Sequence, residues 1–310
     1  MQTIVGANGI IGEELAKELH ANYTEKIRLV SRPPSKINDS DELYKCDLFN
    51  VEDVSVALND TEIDYLTVWL PYRSDVWLRD WIKIMENVII GCKENNCKLV
   101  YFDNTYTYPQ DATSQQESTP MTSEGLKGIG KKKAAKRLLE AISNKEIEAV
   151  ICRAPEFYGP GKTKGITNTV LLESLKNGKK PKVFLKDDVL RTLIYTPDAS
   201  KAMALIGNTT DTYGETWHLP CDDNRLTYKE FIGEISKQLG REIKYSVLNK
   251  FVLKIASYFN ENVKETRELL PRYAADNIFD SSKFKARFPD FAVTTYQEGI
   301  KQILADYEIE

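Results

Sequence analysis

Near the start of the chain, Gly6-Ala7-Asn8-Gly9-Ile10-Ile11-Gly12 separates an apolar run, Thr3-Ile4-Val5, from an amphipathic stretch that begins at Ile10. Glycine at position 6 permits a tight turn, and Gly9 lets backbone amides approach a pyrophosphate. Gly12 allows close helix–strand contact. The loop backbone, with Asn8, Ile10 and Ile11 in it, then meets the anion with the unpaired N–H groups and positive dipole end of a helix. A plain tight turn is the alternative, but the position between an apolar strand and an amphipathic helix favours a dinucleotide phosphate loop.

Roughly 20 residues further on, an NAD site expects an acid for the ribose 2′-hydroxyl. Here the chain has Ser31-Arg32 instead. No carboxylate repels a 2′-phosphate there, and Arg32 can pair with one. NADP is therefore expected ahead of NAD, the alternative being a solvated arginine before Pro33-Pro34. Asp47-Leu48 is placed to meet the adenine edge, or Asp47 caps the turn that follows. Leu70, Pro71 and Pro155 complete the expected cofactor contacts.

The elements that must position these residues follow an alternating rhythm. Apolar runs at Thr3–Val5, Ile27–Ser31, near Tyr44, Tyr65–Leu70, Lys98–Asp103 and Glu148–Arg153 read as strands. Helical patterns at Ile10–His20, Val54–Leu58, Val76–Glu94 and Gly130–Ile142 lie between them. Strands alternating with helices make βαβ units and a parallel sheet. The expected fold is α/β: a Rossmann-type doubly wound sheet over residues 1–160, with a smaller α+β substrate lobe, partly interleaved, over residues 161–310. In that lobe the pattern predicts helices at Thr167–Lys176, Asp198–Ile206, Tyr228–Leu239 and Tyr296–Tyr307, and strands at Leu193–Tyr195 and Glu215–Leu219. Thr227 and Glu230 form a capping box for the Tyr228 helix. Pro109–Thr122 is polar and reads as a loop of the length used for lids.

Composition sets the outer limits. The 310 residues carry 42 Lys+Arg against 46 Asp+Glu, a formal charge of −4, so there is no broad basic field for a nucleic-acid backbone. No run approaches the roughly 18 apolar residues of a membrane span, and neither nucleic acid nor membrane is expected as a partner. His20 and His218 are the only two histidines, which argues against a histidine-based metal site; none is expected. Cys46, Cys92, Cys97, Cys152 and Cys221 have no paired spacing that suggests a disulfide framework or zinc. With no charged leader ahead of an apolar run, the expected location is the cytoplasm.

These motifs together resemble the extended short-chain dehydrogenase/reductases, the NAD(P)-dependent epimerase/dehydratase family. The resemblance covers nearly the whole chain. It rests on the Gly6–Gly12 loop, Asp47-Leu48, Tyr106-Thr107-Tyr108-Pro109, Arg153-Ala154-Pro155-Glu156-Phe157-Tyr158-Gly159-Pro160-Gly161 and Arg191-Thr192-Leu193-Ile194-Tyr195-Thr196-Pro197-Asp198. It implies a small-molecule substrate, a carbonyl compound or something like a sugar nucleotide, and a homodimer formed through Val76–Glu94 and Gly130–Ile142. The family pairs a Ser or Thr after the fifth strand with a Tyr-x-x-x-Lys helix; lysine lowers the tyrosine pKa and the phenol moves a proton.

In this sequence the serine position falls on Asn104, and the helix slots fall on Gly128 and Lys132. The usual tyrosine is absent, as in an atypical branch that carries Lys127-Gly128, Trp77…Trp81 and Gly214–Pro220. Asn104 can donate to a substrate oxygen, or it is a strand-end turn residue. Tyr106 can replace the lost phenol, although period-2 alternation sends it to the same side as Tyr108. Lys127, Lys131, Lys132 and Lys133 read as a solvated face from which one lysine, Lys132, turns inward to a ribose. Tyr72, Tyr108, Glu156, Tyr158 and Arg191 border the expected substrate site. The competing reading, supported by the missing tyrosine, is a catalytically silent dinucleotide-binding sensor.

Overall fold

The computed structural model describes residues 1–309. The chain divides into two compact units. One is built from Met1–Thr107, Glu124–Arg153 and Ala199–Leu219, the other from Tyr108–Ser123, Ala154–Asp198 and the chain from Pro220 onward.

Chain order begins with β1 (Gln2–Val5), α1 (Ile10–Asn22), β2 (Ile27–Ser31), β3 (Glu42–Lys45), α2 (Val51–Ala57) and β4 (Ile63–Leu66). It continues with α3 (Ser74–Asn95), β5 (Lys98–Asn104), α4 (Leu126–Ser143) and β6 (Ala149–Ala154). Next come β7 (Glu156–Tyr158), α5 (Glu173–Lys176), β8 (Lys182–Phe184), β9 (Leu190–Arg191), β10 (Leu193–Tyr195) and α6 (Thr196–Gly207). The remainder is β11 (Thr216–His218), β12 (Leu226–Thr227), α7 (Tyr228–Gln238), β13 (Ser246–Leu248), α8 (Lys250–Phe259), α9 (Glu261–Thr266), α10 (Ser282–Arg287) and α11 (Tyr296–Asp306).

In the first unit a seven-stranded parallel sheet runs in the order β11-β6-β5-β4-β1-β2-β3. Helices on the faces bury most of it, so β1, β4 and β6 are buried along their length rather than at alternate positions. The chain winds outward from β1 in both directions, toward β2 and toward β4. That reversal is the switch point at whose carboxyl edge ligands bind in open α/β sheets. The expected doubly wound sheet is the one observed.

Element ends differ from the pattern for local reasons. The fourth strand stops at Leu66 instead of Leu70. Thr67 N–H still bonds the Val5 carbonyl at 2.8 Å, but Val68 then packs against the turn at Gly6, where an added Cβ would lie 2.7 Å from the Val68 Cα. The α4 helix starts at Leu126, four residues before Gly130, because Lys127 and Lys131 are buried on its inner face with partners of their own.

In the second unit the capping box forms. The Thr227 hydroxyl accepts from Glu230 N–H at 3.2 Å while the Glu230 carboxylate accepts from Thr227 N–H at 2.8 Å. An equivalent box, Thr295 with Glu298, opens α11. The segment expected as one helix from Thr167 is a π-helical turn, Asn168–Leu172, followed by α5. Strands β7, β8, β9, β12 and β13 span two or three residues each, too short to leave a periodic signal. The polar loop after Pro109 is pinned at Gln115, whose N–H bonds the Ile278 carbonyl and whose carbonyl accepts from Asp280 N–H, both at 2.9 Å. Among the described residues no helix is long and apolar enough to cross a membrane.

One core residue breaks the apolar rule. Asp64 sits in the middle of β4, fully buried, with neither carboxylate oxygen hydrogen-bonded. Burial pushes its carboxyl well above the ordinary value, so the folded state holds a proton that the unfolded chain releases near pH 4. Stability from this residue is full below that pH and is lost as pH rises toward the raised folded value. Asp64→Asn removes the dependence. The variant is expected to gain on the wild type by about 1.4 kcal/mol per pH unit above pH 5 in denaturant titrations; parallel pH profiles for the two proteins would refute the assignment.

Candidate active site

The glycine loop is shaped by what each glycine touches. Gly6 has a φ of 94°, the left-handed region that side chains rarely adopt. A Cβ on Gly12 would come within 2.8 Å of the Ala7 Cα. Gly9 is different: a Cβ there would meet nothing nearer than the Gly6 carbonyl oxygen at 3.6 Å. The protein itself leaves that space open. Gly9 is also the N-cap of α1, and no side chain caps the helix, so the first-turn amides at Ile10, Ile11 and Gly12 are left for an external acceptor.

The rim of this loop is set by β2 and β3. The Asn8 amide donates to the Pro33 carbonyl at 2.7 Å, tying the loop to the turn after β2. The Ser31 hydroxyl, at the carboxyl end of β2, is buried without a hydrogen-bond partner, while Arg32 is exposed and makes no ion pair among the described residues. Asp47 accepts from Phe49 N–H at 3.0 Å, the turn-capping role, and the Leu48 carbonyl accepts from Asn87 at 2.8 Å. An open cradle, uncapped amides and a bare cation beside an orphaned hydroxyl fit a dinucleotide with phosphate groups.

At the carboxyl end of β5 an aromatic cluster surrounds the catalytic candidates. Asn104 accepts from Tyr106 N–H at 3.1 Å through its Oδ1. That bond closes a 3₁₀ turn over Thr105–Thr107, which breaks the strand alternation. Strand alternation therefore does not extend through Tyr106 and Tyr108; Tyr106 is half-buried and Tyr108 is buried. The Tyr106 hydroxyl donates to the Tyr72 hydroxyl at 2.8 Å. The Trp77 ring lies 4.9 Å from that of Tyr106 and 5.9 Å from that of Tyr72. Its indole N–H is fixed on the Pro71 carbonyl at 3.0 Å, with Leu70 buried beneath.

The lysine run on α4 is not a uniform solvated face. Lys127 and Lys131 fall on the same helical stripe as Ala134, Leu138 and Ala141, and all five are buried. Lys127 Nζ donates to the Ser74 hydroxyl at 3.0 Å and lies 4.7 Å from the centre of the Tyr72 ring. Lys131 Nζ is 2.9 Å from Asp103 Oδ1, 3.8 Å from the Trp81 ring centre, and donates to the Tyr101 hydroxyl. Arg153 closes the other side of Asp103, with Nε at 2.9 Å and Nη2 at 2.8 Å from Oδ2.

Burial alone would raise the Asp103 carboxyl, but the two cations more than offset it and hold it below the ordinary value. The Lys131 ammonium is lowered by burial, with Asp103 opposing the shift. The inward lysines are thus Lys127 and Lys131, while Lys132 is half-buried one position along from the latter. Close approach of α3 to α4 brings these groups together, and it needs Gly130, where any Cβ would overlap the Trp77 carbonyl.

Two expected substrate contacts, Glu156 and Arg191, belong to one closed network in the second unit. Glu156 Oε2 accepts from Arg191 Nη2 at 3.0 Å and from the Tyr273 hydroxyl at 2.8 Å. Its Oε1 accepts from Thr167 N–H at 2.9 Å and from the Thr167 hydroxyl at 2.7 Å. Both carboxylate oxygens are occupied, and Arg191 also donates to the Arg272 carbonyl. Tyr158 is buried, its ring 5.3 Å from that of Tyr296. Glu156 and Arg191 therefore satisfy one another, and Pro155 is buried between β6 and β7.

Sequence reasoning missed Lys127, Lys131, Asp103 and Ser74. The signal was present in the i, i+4, i+7, i+11 spacing that sets both lysines on the apolar stripe, but burying two ammonium groups is improbable until their partners are known.

Comparison with known proteins agrees with this fold. Over the full length the fold is similar to a UDP-glucuronic acid 4-epimerase from Bacillus cereus in complex with NAD, at 16% identity, 99% of both chains and a TM-score of 0.81. It is also similar to MoeE5 in complex with UDP-glucuronic acid and NAD, at 15% identity, 99% of this chain and 98% of the other, with a TM-score of 0.80. A third is DesIV, a dTDP-glucose 4,6-dehydratase from Streptomyces venezuelae with NAD and TYD bound, at 14% identity, 99% and 97% coverage and a TM-score of 0.78. No curated protein sequence matches significantly. At such identities the structures establish the fold; residues 3–218 match the NAD dependent epimerase/dehydratase family, and the chain belongs to that family.

Proposed function

We propose that the chain is an epimerase/dehydratase-type oxidoreductase of the cytosol, active as a homodimer on a small carbonyl or sugar-nucleotide-like substrate, with NADP preferred over NAD. The observation that carries the enzymatic reading is the hydrogen-bonded Tyr106–Tyr72 phenol pair beside Asn104 at the carboxyl end of β5. Two phenols held by Trp77 at the sheet edge are more than a binding protein needs. The named ligands of the structural neighbours, UDP-glucuronic acid and TYD, support the substrate class.

In this reading Gly6, Asn8, Gly9 and the amides of Ile10, Ile11 and Gly12 hold the pyrophosphate, and Arg32 with Ser31 takes the adenosine 2′-phosphate. Asp47, Leu48, Leu70, Pro71 and Pro155 border the rest of the cofactor, and Lys132 holds the nicotinamide ribose. The bound nicotinamide supplies hydride transfer. Asn104, whose Oδ1 is engaged by Tyr106 N–H, presents its Nδ2 to a substrate oxygen. The Tyr106–Tyr72 pair exchanges a proton with that oxygen, in place of the phenol missing at Gly128. The second reading, a silent dinucleotide sensor, is favoured by Gly128 alone.

One set of measurements tests both levels. Wild-type protein should bind NADPH more tightly than NADH, and Arg32→Ala should erase the preference. On a panel of carbonyl compounds and nucleotide sugars, Tyr106→Phe and Lys132→Ala should each lower kcat by about 100-fold or more, with dinucleotide affinity for Tyr106→Phe unchanged. Equal affinity for both dinucleotides would overturn the NADP assignment. Tight binding with no turnover of any substrate would move the function to the sensor.

A further inference from the structure

The second unit carries an outward-facing apolar helix. In α8, Phe251 is 69% exposed, Val252 and Ile255 44% each, Tyr258 72% and Phe259 87%. At about 100° per residue these five side chains form one stripe roughly 120° wide. Leu253 and Ser257, on the opposite side, are the buried residues of the helix. The usual arrangement of a surface helix is inverted: its broad apolar stripe faces out and its narrow, partly polar side faces in. Scattered exposed apolar residues need no explanation, but a contiguous aromatic stripe does.

We propose that α8 seats the protein on an anionic lipid bilayer, lying in the headgroup layer with Phe251, Ile255, Tyr258 and Phe259 inserted. Charge selects this occupant. From Ile243 to Asn260 the sequence contains Lys244, Lys250 and Lys254 and no acid, within a chain whose formal charge is −4. Lys250 and Lys254 are exposed and flank the stripe on one side, where they meet anionic headgroups while the apolar face enters the acyl boundary. A two-fold antiparallel pairing of α8 with its own copy would instead set both lysine flanks on the same side of the interface, with no acid between residues 243 and 260 to offset them. Absence of a membrane span, the ground for expecting no membrane partner, does not bear on a helix lying flat in the interface. The inference is independent of the catalytic reading.

Vesicle co-sedimentation of the full-length protein tests it. Vesicles of phosphatidylglycerol mixed with phosphatidylcholine should pull the protein down, with binding weakened by added salt, and pure phosphatidylcholine should bind about ten-fold more weakly or not at all. Phe251→Ser combined with Phe259→Ser should lower vesicle affinity by about 10- to 100-fold. Both side chains are exposed, so circular dichroism and dinucleotide affinity should be unchanged. Lys250→Glu with Lys254→Glu should abolish the preference for anionic vesicles. The proposal is overturned if wild type ignores both vesicle types. It is equally overturned if analytical ultracentrifugation shows a self-associated wild type that the double serine variant turns into monomer without any vesicle binding in either.

Discussion

Replacing Asp103 with alanine is expected to lower the unfolding free energy by about 3–5 kcal/mol, the range for breaking a buried ion pair from one side. The carboxylate sits between Lys131 and Arg153, with side chains 1% and 3% exposed. Its removal leaves two cations facing each other in a space that water does not reach. Asp103→Ala combined with Lys131→Met should recover part of the loss, because the uncompensated charge goes with its partner. Urea titration at pH 7 reads both values. A loss below about 1 kcal/mol for Asp103→Ala would mean that Lys131 escapes to solvent.

The same residue sets the acid limit. Its folded carboxyl is held below 3.8, so the unfolded chain takes up the proton first as pH falls. The contribution is intact above the unfolded value and disappears as pH drops through the folded one. Asp64, on the neighbouring strand, has the opposite shift and the opposite slope. Two buried aspartates on adjacent strands thus narrow the stable range from both sides, one because it has cationic partners and the other because it has none.

Gly9→Val is expected to weaken dinucleotide binding by about 100- to 1000-fold while leaving the fold almost as stable as before. A side chain there fills the cradle over the first turn of α1 and displaces phosphate from at least two amides, each such charged hydrogen bond being worth roughly 1.5–3 kcal/mol. The protein has room for it: the nearest atom to an added Cβ is the Gly6 carbonyl oxygen at 3.6 Å, and φ at Gly9 is −79°. A stability change of about 1 kcal/mol or less is expected from the altered N-cap. Gly12→Ala should behave in the reverse sense, since its Cβ meets the Ala7 Cα at 2.8 Å and the strain falls on the fold itself. Calorimetric titration with NADPH beside thermal unfolding separates the two. Unchanged affinity in Gly9→Val would remove the phosphate from this loop.

Strands and helices of the first unit were legible because each had to bury an apolar stripe on its own period. The run Ile27–Ser31 and the glycine loop ahead of Ile10 carry that signal in a few residues. Glu215–Leu219 was readable as a strand, but not its place at the sheet edge beside β6. Local pattern contains nothing about which edge a returning segment joins. The strand alternation read through Tyr106 and Tyr108 stops at Asn104, where a 3₁₀ turn follows and the Asn104 side chain accepts from the Tyr106 amide.

By itself the sequence determined the parallel sheet and the glycine turn that leads into α1, since both reside in residue type at fixed spacing. Tertiary structure decided which lysine is buried, which carboxylates are paired and which phenols meet. Lys131 and Lys132 are adjacent and chemically identical, and only the position of Asp103 on β5 makes burial of the first affordable. From the sequence Glu156 and Arg191 both border the expected substrate site; in the fold they lie 3.0 Å apart and engage each other. A charge is costly to bury until its partner arrives from elsewhere in the chain, so the fate of each ionisable group is settled when the fold closes.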